Sequence, residues 1–146
     1  MRKLVLAVSM LAFASSAVMA DPIAQRQAIM KANGKALKSI AAIAKGEKPF
    51  DAEFVLAALK TLNEEAQQID VAALFPQGSE TGGDTTASPK IWKDMPGFQK
   101  AVDKFKADTA AAVAAAPADV GALKAEFGKV SQNCGSCHES FRLKKG

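Results

Sequence analysis

The sequence predicts an all-α, antiparallel four-helix bundle, and three observations predict it. No stretch alternates apolar and polar residues with a period of two, so no sheet is expected. Four segments instead repeat apolar residues in steps of three and four, the spacing of helices with one buried stripe. The links between the first two and the last two segments are short, which makes each pair antiparallel neighbours.

The chain opens Met1-Arg2-Lys3 and continues through an apolar run that closes on Val18-Met19-Ala20, a small-x-small pattern. This reads as a secretory signal peptide over residues 1–20, cleaved after Ala20, with one mature domain over 21–146. The apolar run is too short to span a bilayer comfortably and no second one follows, so no membrane insertion is expected. Losing Arg2 and Lys3 takes the formal charge from +4 to +2, so the whole-chain pI of about 9.1 overstates the basicity of the mature chain. No basic stripe with interleaved aromatics argues for nucleic acid.

Asp21-Pro22 supplies an N-cap and first helical residue, opening a helix to about Lys45. Its seam is Ile23, Met30, Leu37 and Ala44, widened by Ile29, Ile40 and Ile43. Gly34 costs this helix about 1 kcal/mol relative to Ala, through either a close helix–helix approach or simple tolerance. Gly46 ends it, and Glu47-Lys48-Pro49 makes the turn. Phe50-Asp51 then offers a hydrophobic staple, with Val55, and an N-cap. The second helix carries its seam at Val55, Leu59, Leu62, Ala66, Ile69 and Ala73, with Lys60, Glu64, Glu65 and Gln68 on the solvated side.

Residues 76–88, rich in Gly and Thr, read as a flexible crossover. Ser88-Pro89 restarts helix, with Trp92 on this first stretch, and Pro96 is expected to kink or interrupt it. The third main helix continues through Phe98, Val102, Phe105, Thr109 and Ala112, and Pro117 ends it. Asp119 caps the fourth, where Val120, Leu123, Phe127, Val130, Cys134, Cys137 and Phe141 keep the three–four rhythm without a slip.

That last seam contains Cys134-Gly135-Ser136-Cys137-His138, the C-x-x-C-H signature of c-type haem attachment. Two thiols add to the two vinyl groups, and the adjacent imidazole binds the iron. On a helix the thiols at i and i+3 share a face. A thioredoxin-like C-x-x-C would call for βαβ units, a disulfide leaves His138 without a role, and a structural zinc needs four ligands where the chain has two Cys and one His. Haem c, one per chain and covalent, accounts for the motif best. Only Glu139 to Gly146 follow His138 and none is Met, so a second protein ligand to the iron must come from upstream.

A C-x-x-C-H on the last of four helices resembles the class II cytochromes c, the cytochrome c prime family. The resemblance takes in Arg26-Gln27 followed by Met30, the Pro89-Lys90-Ile91-Trp92 stretch, and Arg142 one turn after His138. Met30-Lys31-x-Asn33-Gly34 and Ala44-Lys45-Gly46-Glu47-Lys48-Pro49-Phe50 look most like its low-spin branch, cytochrome c-556. The resemblance implies thioethers at Cys134 and Cys137, His138 as proximal iron ligand, and Met30 facing the distal side. There Met30 either ligates the iron, giving a low-spin six-coordinate centre, or fills space beside an open iron. It also implies Arg26 on the propionate side, where a guanidinium pairs with a carboxylate, and Gln27 near the haem. Arg142 would tune the proximal side or complement the helix C-terminus; Trp92 and Phe98 would wall the haem or serve the core.

No catalytic constellation stands out, so no enzyme is expected. The leading expectation is a soluble periplasmic electron carrier with redox proteins as partners. The alternative is a high-spin, or Met-displaceable, cytochrome c prime binding nitric oxide or carbon monoxide. Relatives of this kind often dimerise through the first two helices, and a homodimer is an open alternative to a monomer.

Overall fold

The computed structural model describes residues 21–144. The signal peptide expected over residues 1–20 lies outside the described residues. Four long helices, α1 (Pro22–Ala44), α2 (Ala52–Gln67), α5 (Met95–Ala115) and α6 (Val120–Phe141), are joined by two single-turn helices, α3 (Val71–Leu74) and α4 (Lys90–Lys93). Helix α1 packs on α2, α2 on α5, α5 on α6, and α6 closes the ring on α1. Cross-helix pairs fix the directions. Gln67 reaches Lys106 and Thr109 reaches Asn63 between α2 and α5, while Asn133 reaches Asp108 between α6 and α5. Both pairings run antiparallel. Among the described residues there is no strand, only one isolated bridge between Ala87 and Arg142.

Aspartates start five of the six helices. The carboxylates of Asp21, Asp51, Asp70, Asp94 and Asp119 each accept a first-turn backbone N–H at 2.8–3.1 Å. Each such cap contributes about 1 kcal/mol. The cap at Asp70 explains one departure from the expected boundaries, and the cap at Asp94 restarts the helix after an expected interruption. The second helix stops at Gln67, and Asp70 begins a new turn that buries Val71 and Leu74 and leaves Ala73 exposed. The interruption expected at Pro96 is present: α4 ends at Lys93, α5 opens at Met95, and Pro96 sits in the first turn of α5, where a missing N–H costs nothing. Gly46, at φ +77°, closes α1, and the N–H groups of Gly46 and Glu47 cap Ile43 and Ala42.

The interior has two apolar clusters. One joins Ile40, Val55, Leu59, Leu62, Leu123 and Val130 at the end of the bundle holding the α1–α2 and α5–α6 turns. The other joins Ile29, Leu74, Phe75, Ile91, Phe98 and Phe141 at the opposite end. Phe98 meets Phe75 and Phe141 edge-on, with centroids 4.7 and 5.2 Å apart. Asn33 lies on α1 between the residues feeding the two clusters, buried, with neither amide atom bonded to protein, at a cost of about 1–3 kcal/mol.

The stripe expected for α1 is present at Ile23, Ile29, Ile40, Ile43 and Ala44, and Met30 lines a cavity at the Phe98–Phe141 end of the bundle. Ile29, Asn33, Ala36, Ile40 and Ile43 face the core, whereas Met30 is 41% exposed and Leu37 is half-buried. Both ends of the 23–30–37–44 line are buried, and its middle residues Met30 and Leu37 lie at the cavity and at the edge of the core.

Candidate haem site

A cavity of about 510 Å³ opens at the Phe98–Phe141 end of the bundle. Phe75, Ile91, Phe98 and Phe141 give it an apolar floor. Helix α6 contributes Cys137 and His138 to one wall, and α1 contributes Met30 and Gly34. Gln27, Lys31, Thr86 and Arg142 add polar groups. An added Cβ at Gly34 would meet nothing within 4 Å, so the residue does not mark a close helix–helix approach; it leaves bare backbone on the cavity wall.

The sequence positions the α6 groups directly. Cys134 and Cys137 are one turn apart, half-buried, and both are free thiols. Burial pushes both thiols above their ordinary range, keeping them protonated. Cys137 stands on the cavity wall; Cys134 does not, and lies within 3.6 Å of the Val130 carbonyl one turn back. Partial desolvation and then the Arg142 cation lower the His138 pKa, which favours the neutral imidazole, the form that can ligate.

Arg26 does more than the sequence showed. It is 5% exposed, and its two terminal nitrogens donate to the Leu74 carbonyl, the Ser79 hydroxyl and carbonyl, and the Thr85 hydroxyl at 2.6–3.1 Å. The guanidinium also lies over Phe75, 4.9 Å from the ring centroid. Gln27 donates to the Gly83 carbonyl at 2.7 Å. Residues 76–88 are therefore not a free crossover: they are tied to α1 and form a wall of the cavity through Asp84, Thr85, Thr86 and Ala87.

The chain end completes that wall, a contact without any sequence signal. Leu143 N–H donates to Thr86 O at 2.8 Å, Ser88 N–H to Phe141 O at 2.9 Å, and Arg142 Nε to the Thr86 hydroxyl at 3.2 Å. Phe98, which also belongs to the aromatic core cluster, is on the cavity floor. Trp92 is not; it stands behind Phe75 and donates its indole N–H to the Phe75 and Pro76 carbonyls.

The family model described as Cytochrome C' matches residues 21–142. The chain belongs to the cytochrome c' family. It is 47% identical over 127 residues to cytochrome c' of Rhodopseudomonas palustris, covering 86% of this chain and 84% of the relative. A cytochrome c-556 of Agrobacterium tumefaciens (strain II Chrys) is 38% identical, covering 86% of this chain and all of the relative. The solved structure of cytochrome c' from Rhodopseudomonas palustris superposes with a TM-score of 0.79 at 45% identity, covering 86% of this chain and 98% of that one. Both branches of the cytochrome c' family are thus among the relatives, and the group that the family carries is covalent haem c.

The residues present fit that group. Cys137 on the cavity wall, with Cys134 one turn back, would attach the haem; His138 beside them and Met30 on the same cavity would be the ligands available to its iron, over an aromatic floor. Among the described residues no helix is long and apolar enough to cross a membrane.

Proposed function

We propose that the chain is a periplasmic, monohaem, low-spin electron carrier, exported with residues 1–20 removed after Ala20, and not an enzyme. Cys134 and Cys137 hold the haem by thioethers, His138 is the proximal ligand and Met30 the distal one. One observation carries the reading: Met30, from α1, and His138, from α6, line the same cavity, and Met30 is the lone thioether on its wall. Met95, the other methionine of the mature chain, is packed into the aromatic cluster instead.

Bound there, the haem supplies a one-electron iron(III)/iron(II) couple, whose ferrous form a thioether ligand favours. The chain's own residues hold that centre still. Phe75, Ile91, Phe98 and Phe141 exclude water from one side. Arg26 and Gln27 serve the propionate side, Arg26 through its charge, because its terminal nitrogens are already engaged with the loop. Arg142 joins the last turn of α6 to Thr86 and so fixes the carrier of His138 against the loop. Redox proteins are the partners.

The ferric spectrum tests this reading. A weak sulfur-to-iron band near its red end is expected, and Met30→Ala should abolish it and convert the iron to high spin. An unchanged spin state in that variant would show that Met30 is not the ligand.

A second reading has support of its own. A 31%-identical relative from Alcaligenes xylosoxidans has a solved structure described as a nitric oxide complex of a variant cytochrome c prime, with a TM-score of 0.76. On this reading Met30 yields to nitric oxide or carbon monoxide. Stopped-flow mixing of the ferrous protein with carbon monoxide separates the two: fast, tight binding favours the gas binder, and slow or absent binding the carrier.

A further inference from the structure

Helix α1 carries Arg26, Lys31, Lys35 and Lys38 and not one carboxylate between Pro22 and Ala44. Since the mature chain sums to +2, the residues outside this helix sum to −2. The charge is therefore one-sided. Arg26 is buried in the loop network, but Lys31, Lys35 and Lys38 are all exposed, and among the described residues none has an ion-pair partner. Positions 27, 31, 34 and 38 form one stripe along the helix, with Lys35 beside it. Gln27, Lys31 and Gly34 on that stripe line the cavity. The lysines from 31 to 38 extend about 10 Å along the axis from the cavity wall. The neighbouring negative groups are few: Asp21 and Glu80 near Arg26, Asp84 on the cavity wall, and Glu139 beyond His138. Helix α2, packed against α1, turns Glu53 and Glu64 to solvent.

We propose that the Lys31–Lys35–Lys38 face is where a redox partner docks, and that the partner presents a carboxylate-rich surface. The inference rests on the carrier reading above. Like charges with no local counter-ion steer an anionic surface from a distance and set its orientation on arrival. Because the stripe runs onto the cavity wall at Lys31, a partner aligned along it reaches the haem site from the α1 side.

The test uses ¹⁵N-labelled holoprotein titrated with an oligoglutamate peptide at low ionic strength. Amide shifts should concentrate between residues 27 and 38, vanish in the Lys31→Glu/Lys35→Glu/Lys38→Glu variant, and persist in a Lys60→Glu/Lys100→Glu/Lys124→Glu control of the same net charge. Oxidation of the ferrous protein by hexacyanoferrate(III) should slow about tenfold in the first variant and much less in the control, with unchanged far-ultraviolet circular dichroism showing that both still fold. Shifts scattered over the surface, equal losses in both variants, or a dimer in sedimentation that shields these amides would overturn the docking face. Electron exchange with hexacyanoferrate(III) accompanied by such scattered shifts would overturn the face and leave the carrier reading standing.

Discussion

Replacing Arg26 with Leu separates its two roles, and the structure sets the size of the effect. The guanidinium holds four acceptors across residues 74–85. Two of them keep other partners, since the Ser79 hydroxyl donates to Pro76 O and the Thr85 hydroxyl accepts from Ala87 N–H. The Leu74 and Ser79 carbonyls lose a charged donor, at about 1–3 kcal/mol each. Losing the contacts with Phe75 and Trp92 adds about 0.5–1 kcal/mol apiece. Against this, Leu avoids burying a charge, the same desolvation that lowers the Arg26 pKa despite Asp21 and Glu80. The net expectation is a loss of about 2–4 kcal/mol. Urea unfolding of the holoprotein measures it, and hydrogen exchange locates it, with faster exchange expected in residues 76–88. A loss under about 1 kcal/mol with unchanged exchange there is what a solvated propionate partner would give, and it would refute the reasoning.

Two further substitutions check the backbone and electrostatic arguments. Gly83→Ala should destabilise by about 1–2 kcal/mol, because φ is +54° and the new methyl would stand 2.9 Å from Ile23 Cγ2. Gly128→Ala, helical and with nothing within 4 Å, should instead stabilise by up to about 1 kcal/mol; urea midpoints compare the two. Asp108 accepts hydrogen bonds from Lys104 and Asn133, which hold its carboxyl below the ordinary range. A depressed native pKa contributes stability that is present above the unfolded value near 4 and disappears as pH falls through the native value. Asp108→Asn should therefore cost most at neutral pH, with the gap to the parent closing below about pH 4; a gap that stayed constant into acid would argue against the ion-pair contribution.

Much of this protein is local and was legible as such. The helix starts at Asp21, Asp51 and Asp119 follow from a short acidic side chain preceding an apolar period, and the structure places caps at all three. The same signal stood at Asp70, where longer-range periodicity overrode it because Ala73 continued an apparent seam; at Asp94 the proline two residues on already marked the break. The attachment motif needs only neighbours in sequence. Cys134, Cys137 and His138 are fixed relative to one another by one helix, whatever surrounds it.

Tertiary structure decided the rest. That Asn33 and Ala36 join Ile29, Ile40 and Ile43 in the core, while Leu37 sits at its edge, depends on how α1 is rotated against α2 and α6, and a heptad count cannot set that rotation. Arg26 bonds to residues 48–59 positions away, and Thr86 meets Arg142 across 56, so neither contact leaves a periodic trace. A loop of Gly and Thr looks free when read alone. It becomes a cavity wall because a buried cation on another element must find acceptors, and the loop's carbonyls and hydroxyls are the ones the fold brings within reach. Sequence alone determined what could attach a haem; the packing of distant segments determined what encloses it.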